Sequence, residues 1–70
     1  MLGDELRQVR ERRGLSAREV ARQAGISVET LSAWERGRRY PSLQSLEALA
    51  PVLRIRVVIG PDETFVETVD

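Results

Sequence analysis

Leu15 to Gly37 read LSAREVARQAGISVETLSAWERG, and this stretch decides the fold. Ser16-Ala17-Arg18-Glu19 has the form of a capping box: the serine oxygen accepts from the Glu19 N–H, and the Glu19 carboxylate can reach back to the serine N–H. Leu15 before the cap and Val20 in the helix supply the accompanying hydrophobic staple. The signals then repeat, with Ser27 as a second cap flanked by Ile26 and Leu31. Ala21 is small where two helices must touch, and Gly25 can take the positive φ of a tight corner. The spacing predicts helices over Ala17 to Ala24 and Val28 to Arg36. Two short helices joined by a glycine turn are a means of presenting one of them to the DNA major groove.

Upstream, Asp4 to Arg13 reads as a first helix, with Leu6, Val9 and Leu2 inward and arginines outward. Asp4 and Glu5 suit the positive end of its dipole, Arg12 and Arg13 suit the negative end, and Gly14 stops it. Arg12 and Arg13 read as a solvated helix end. Downstream, Gly37 to Pro41 is a basic loop and Ser42 caps a fourth helix with Leu43, Leu46, Leu49 and Ala50 on one face. Pro51 ends or kinks that helix, with Val52 and Leu53 able to add a turn.

The hydrophobic period then changes from that of a helix to that of a strand. Leu53, Ile55, Val57 and Ile59 alternate with Arg54, Arg56 and Val58, Gly60-Pro61-Asp62-Glu63 is turn chemistry, and Thr64 to Val69 is a second β-rich run. A loop of those four residues sets Ile59 opposite Thr64, Val58 opposite Phe65, Val57 opposite Val66 and Arg56 opposite Glu67, all compatible cross-strand pairs. A lone two-stranded hairpin is marginal in water, so this one must pack on the helices, add to a partner's sheet, or both.

Composition narrows the function classes. The chain of 70 residues has no cysteine and no histidine, which removes disulfide and zinc staples. A core of this size supplies only about 3–5 kcal/mol, so self-association is the expected staple. There is no run long enough to cross a membrane and no secretory segment, which implies a soluble, cytoplasmic protein without a membrane partner. No glycine-rich phosphate loop or clustered carboxylate pair is present; no enzyme activity, metal or cofactor is expected. The formal net charge is zero, but it is unevenly placed: Met1 to Arg39 carries +3 and Tyr40 to Asp70 carries −3. Such asymmetry suggests a basic binding surface backed by an acidic end. Every basic residue is arginine, a side chain suited to bidentate phosphate and guanine contacts, or the mark of a GC-rich genome.

Val20, Ala21, Gly25, Ile26, Leu31 and Trp34 stand where the phage-repressor and Cro family (lambda-repressor-like, XRE) has its interior positions, and Trp34-Glu35-Arg36-Gly37 resembles the segment closing its recognition helix. The resemblance spans about Leu6 to Leu53. It implies a mainly α fold, a four- to five-helix lambda-repressor-like domain over residues 1–53, followed by a C-terminal β-hairpin or dimerising strand over residues 54–70. The family usually has a fifth helix there; the strand pattern instead resembles Cro-type proteins and certain antitoxins, whose terminal strands pair between subunits. A dimer interface is therefore expected from Ile55, Val57, Ile59, Phe65 and Val66.

By the same resemblance, Val28, Glu29, Ser32 and Ala33 would contact bases, with Ser27 as cap, phosphate ligand or both. Arg10 and Glu35 would form a structural salt bridge between the first and third helices. Ala17 and Arg18, at a helix N-terminus that favours anions, and Arg36, Arg38 and Arg39 would contact phosphate. Trp34 belongs to the core with Leu31, and Arg54 and Arg56 to the strand face. The functional expectation is a sequence-specific regulator, acting as a repressor and as a homodimer on double-stranded, palindromic operator DNA. The alternative is an antitoxin that engages a toxin through its strand tail and represses its own operon.

Overall fold

The computed structural model describes residues 1–69; Asp70, the final residue of the expected strand segment, lies outside the described residues. Four helices, α1 (Leu2–Arg12), α2 (Ala17–Ala24), α3 (Val28–Glu35) and α4 (Leu43–Leu53), precede a hairpin of β1 (Ile55–Ile59) and β2 (Thr64–Thr68). The chain thus takes a hairpin where a fifth helix was the alternative. Its antiparallel register is the one expected from the turn: Arg56 opposite Glu67, Val57 opposite Val66, Val58 opposite Phe65 and Ile59 opposite Thr64.

Serine caps start three of the helices. Ser16, Ser27 and Ser42 accept from the N–H groups of Glu19, Thr30 and Ser45, each at 3.1 Å. Only half of the expected capping box forms, because the Glu19 carboxylate turns along α2 to accept from Gln23 Nε2 at 2.6 Å and from Arg22. Those two donors, Gln23 first, hold the Glu19 carboxyl below its ordinary range. Their contribution is present above the ordinary carboxylate pKa and is lost as pH falls through the lowered one.

The core is shared by all helices and the first strand: Leu2, Leu6 and Val9; Val20 and Ala21; Leu31 and Trp34; Leu46, Leu49 and Leu53; and Ile55. One expectation about α4 needs correction. Leu43 is 53% exposed, because the buried stripe runs Leu46, Leu49, Leu53 and begins a turn later. Of the two readings at Pro51, the helix takes the one with the added turn and continues to Leu53, whose burial accompanies the lost backbone donor. Arg54 then reverses the chain with a φ of 56°.

Arg13 is not a solvated helix end. Its Nε donates to Leu53 O at 3.0 Å and its Nη2 to Arg54 O at 3.1 Å, satisfying carbonyls that α4 leaves open at its C-terminus. The hairpin is tied to α1 a second time where Val66 N–H donates to Glu5 Oε1 at 3.1 Å.

Helix α1 also packs against the end of α3. Arg10 Nε donates to Glu35 Oε2 at 2.7 Å, Nη2 to Glu35 Oε1 at 3.1 Å, and Nη1 to Leu15 O at 3.0 Å. The two side chains are only 14% and 7% exposed. The hydrogen bond to Glu35, then its charge, raise the Arg10 guanidinium above its already high ordinary value. Close approach is possible because Gly3 has no side chain: a Cβ there would lie 2.2 Å from Trp34 O.

Two outcomes follow for stability. Gly3→Ala should destabilise by about 1–3 kcal/mol through overpacking, even though alanine improves helix propensity by about 1 kcal/mol; a higher midpoint in urea would contradict the close contact. Glu35→Gln leaves a buried guanidinium short of its counter-charge and should cost about 3–5 kcal/mol. Arg10→Met combined with Glu35→Leu should recover most of that loss, as read by far-ultraviolet circular dichroism during urea unfolding; no recovery would place the cost elsewhere.

Candidate nucleic-acid interface

Helix α3 is divided lengthwise. Leu31, Trp34 and Glu35 are buried, so the opposite side, with Val28 and Glu29 exposed and Ser32 and Ala33 half-buried, is presented outward. Residues at i and i+4 share a face, which places Val28, Ser32 and Arg36 in one row. That row borders a shallow groove with Arg7 and Ala17, and the Arg10–Glu35 pair lies in its lining. The groove brings the N-terminus of α2, the outer face of α3 and an arginine of α1 to one side of the molecule. A second groove, bordered by Arg18, Ile26 and Val28, joins the start of α2 to the start of α3.

Each residue expected to contact bases occurs on this side, with one qualification. The Ser27 hydroxyl accepts from Thr30 N–H and donates to Thr30 Oγ1 at 2.8 Å. The cap takes one lone pair of this hydroxyl, while its rotatable proton is shared with the Thr30 hydroxyl. At the start of α2, Ala17 is half-buried and Arg18 exposed. The side chain of Ser16 satisfies Glu19 N–H, while the first N–H groups of the helix lie ahead of it, where the dipole favours an anion.

The loop after α3 is held by its own backbone. Gly37 N–H donates to Trp34 O at 3.1 Å, and Arg38 N–H donates to Ala33 O at 2.9 Å. This is a Schellman closure, and Gly37 takes the required left-handed conformation at φ 75°. Arg38 and Arg39 therefore leave the end of α3 in a defined direction, both exposed, as is Arg36. Arg7, exposed on α1, also borders the groove beside α3, a placement that nothing local in the sequence indicates.

Among the residues expected at a dimer interface, Ile55 is 6% exposed within the protein's own core, so its side chain is not free to make one. Val57 and Val66 pack partly against the same core. Phe65 lies on the other face of the hairpin with Val58, and Ile59 is 64% exposed. Arg56 Nε is 3.4 Å from Glu67 Oε1, as their register implies. Among the described residues no helix is long and apolar enough to cross a membrane.

A family model described as a helix-turn-helix domain matches residues 1–57, which takes in all four helices and stops inside β1. The chain is 46% identical over 56 residues to the HTH-type transcriptional regulator DdrOP3 of Deinococcus deserti, covering 80% of this chain and 43% of that protein. It is 36% identical over 67 residues to the HTH-type transcriptional regulator y4dJ of Sinorhizobium fredii, covering 91% of this chain and 87% of that protein. The structure of SinR, a master regulator for biofilm formation, in complex with DNA superposes with a TM-score of 0.72 at 39% identity, covering 76% of this chain and 86% of that one. The chain thus spans less than half of one of these regulators and most of another. With a glycine-turned α2–α3 unit inside the matched residues, the chain belongs to the helix-turn-helix family of phage-repressor-like transcriptional regulators.

Proposed function

We propose that this chain is a sequence-specific transcriptional repressor that binds a near-palindromic operator as a homodimer, placing α3 of each copy in successive major grooves about 34 Å apart. The observation that carries this reading is the gathering of the α2 N-terminus, the outward row of α3 and Arg7 of α1 along one groove, with the exposed Arg38 and Arg39 following from the end of α3. The likeness to SinR, whose structure holds DNA, supports it.

In this reading Val28 and Ala33 pack against thymine methyls, Glu29 accepts from a cytosine amine, and Ser32 bonds to either base type. Phosphates are met by the N–H groups at Ala17 and Arg18 and by the guanidinium groups of Arg7, Arg18, Arg36, Arg38 and Arg39. The row holds no glutamine, asparagine or arginine before Arg36. Base recognition is therefore modest, and groove shape contributes the remainder of the specificity. A regulator of this kind works in the cytoplasm, where the DNA is. A second reading, an antitoxin whose tail engages a toxin, draws on the exposure of Ile59 at the hairpin tip.

The test separates phosphate from base contacts. Arg38→Ala with Arg39→Ala should weaken binding to every duplex and lower the slope of log affinity against log salt by about one per lost phosphate contact. Glu29→Gln should instead change preference at a single base pair, by about 1–3 kcal/mol of discrimination. An unchanged salt slope in the double variant would remove the loop from the interface; unchanged base preference in the second would remove Glu29.

A further inference from the structure

Glu11 is exposed and stands in the groove between α1 and the outward row of α3, beside Arg7, Ala17, Val28, Ser32 and Arg36. A carboxylate there opposes the arrival of any phosphate. Other acids of the helices have a partner or a position that suits them. Glu19 accepts from Gln23 and Arg22, and Glu35 accepts from Arg10. Asp4 and Glu5 stand in the first turn of α1, at the positive end of its dipole, and Glu5 takes the Val66 N–H.

Glu11 has neither. It lies in the last turn of α1, where the negative end of the dipole favours cations and where Arg10 and Arg12 stand. Arg7 precedes it by four residues, the less favourable order for a helical ion pair. Among the described residues, no guanidinium lies within ion-pair distance of its carboxylate, and no side chain donates to it. Sequences that otherwise obey local rules break them chiefly at functional positions.

We propose that Glu11 is a specificity determinant of the DNA-binding surface: its charge repels the DNA backbone from the α1 wall of the groove and so weakens complexes docked out of register. The inference rests on the DNA-binding reading above and adds a repulsive element to its attractive contacts.

Arg7 and Glu11 stand about 6 Å apart along the axis of α1, on the same wall. A phosphate brought to Arg7 meets a guanidinium, and one displaced by a helical turn meets a carboxylate. In the operator complex, α3 is held by base edges and the backbone by the α2 N-terminus and the Arg38–Arg39 loop, so the phosphates have fixed positions. In non-specific complexes phosphates alone hold the protein, in many registers, with no base contact to choose among them. Repulsion by Glu11 therefore falls more heavily on the second kind of complex. Discrimination is a difference of two affinities, and a charge that penalises the wrong complex raises it. The effect matters most where base readers are few, and α3 has no glutamine, asparagine or arginine before Arg36.

The test measures the affinity of the full chain for a duplex of its own promoter and for a scrambled duplex of equal length, by fluorescence anisotropy at two salt concentrations. Glu11→Gln removes the charge and keeps the shape. It should tighten the scrambled duplex about threefold, the scale of one charge–charge interaction across several ångströms of water. Promoter binding should tighten by less, so the ratio of the two affinities falls, and the change should shrink at higher salt. Glu47→Gln alters the net charge equally at an exposed site on α4 that borders neither groove. It should leave the ratio unchanged. Removal of an acid from a helix C-terminus should leave the thermal midpoint of Glu11→Gln no lower than that of the parent chain, as read by circular dichroism.

Equal tightening on both duplexes, or none, would overturn the proposal and leave the DNA-binding reading standing. Weaker promoter binding by Glu11→Gln would make the carboxylate an attractive contact and overturn it as well. A ratio that falls equally in Glu47→Gln would assign the effect to net charge and remove the role of the groove. A chain that binds neither duplex, or both alike, would overturn the sequence-specific reading and this proposal together.

Discussion

The Arg10–Glu35 pair is the interaction on which the interface depends. A single guanidinium donates to both oxygens of Glu35 and to the carbonyl of Leu15, so it joins α1, the loop before α2 and the last turn of α3. A pair this buried does not by itself stabilise a fold, because both charges lose their water. Its consequence is geometric: the planar fork fixes where α3 ends relative to where α2 begins. Those are the two segments that border the shallow groove with Val28, Ser32 and Arg36. Gly3 completes the constraint by letting the α1 backbone approach Trp34 O closely.

Helix α1 is therefore the hub between the two ends of the molecule. Arg10 and Gly3 hold it to α3, while Arg13 and Glu5 hold it to the C-terminus of α4 and to β2. With no disulfide and a small core, these polar ties over long sequence separations carry much of the specificity of packing. The charge asymmetry is one of arginine: nine of the eleven arginines lie in residues 1–39 together with six of the eleven acids, and Arg36, Arg38 and Arg39 stand at and just after the end of α3. An uneven charge distribution of this kind can orient a protein on approach to a polyanion.

Local chemistry was highly legible. The serine caps, the Gly25 corner and the Gly-Pro-Asp-Glu turn each depend on a few adjacent residues, and the hairpin register followed from turn length alone. What the sequence did not reveal shares the opposite property. Gly3, which carried no expectation, is required by a carbonyl on another helix, and Arg13, read as a solvated end, by the end of α4 some forty positions away, so neither leaves a local signal. Leu43 carries the right spacing but sits one turn before the stripe meets the core. Glu19 had two donors available along α2 besides the cap, Gln23 and Arg22, and its carboxylate accepts from both. At the interface, side-chain type and helix periodicity located the outward row, while Arg7 became apparent only once α1 was packed beside α3.

In the proposed function, the surface built by α2, α3 and the loop after α3 is the one that meets DNA. The most direct measurement is backbone amide chemical-shift mapping of the chain during titration with a duplex of its own promoter. Perturbations are expected to concentrate at Ser16 to Arg18, Ser27 to Ala33 and Arg36 to Arg39, together with Arg7. Perturbations centred on the hairpin and α4, with those segments unmoved at saturating duplex, would contradict that placement.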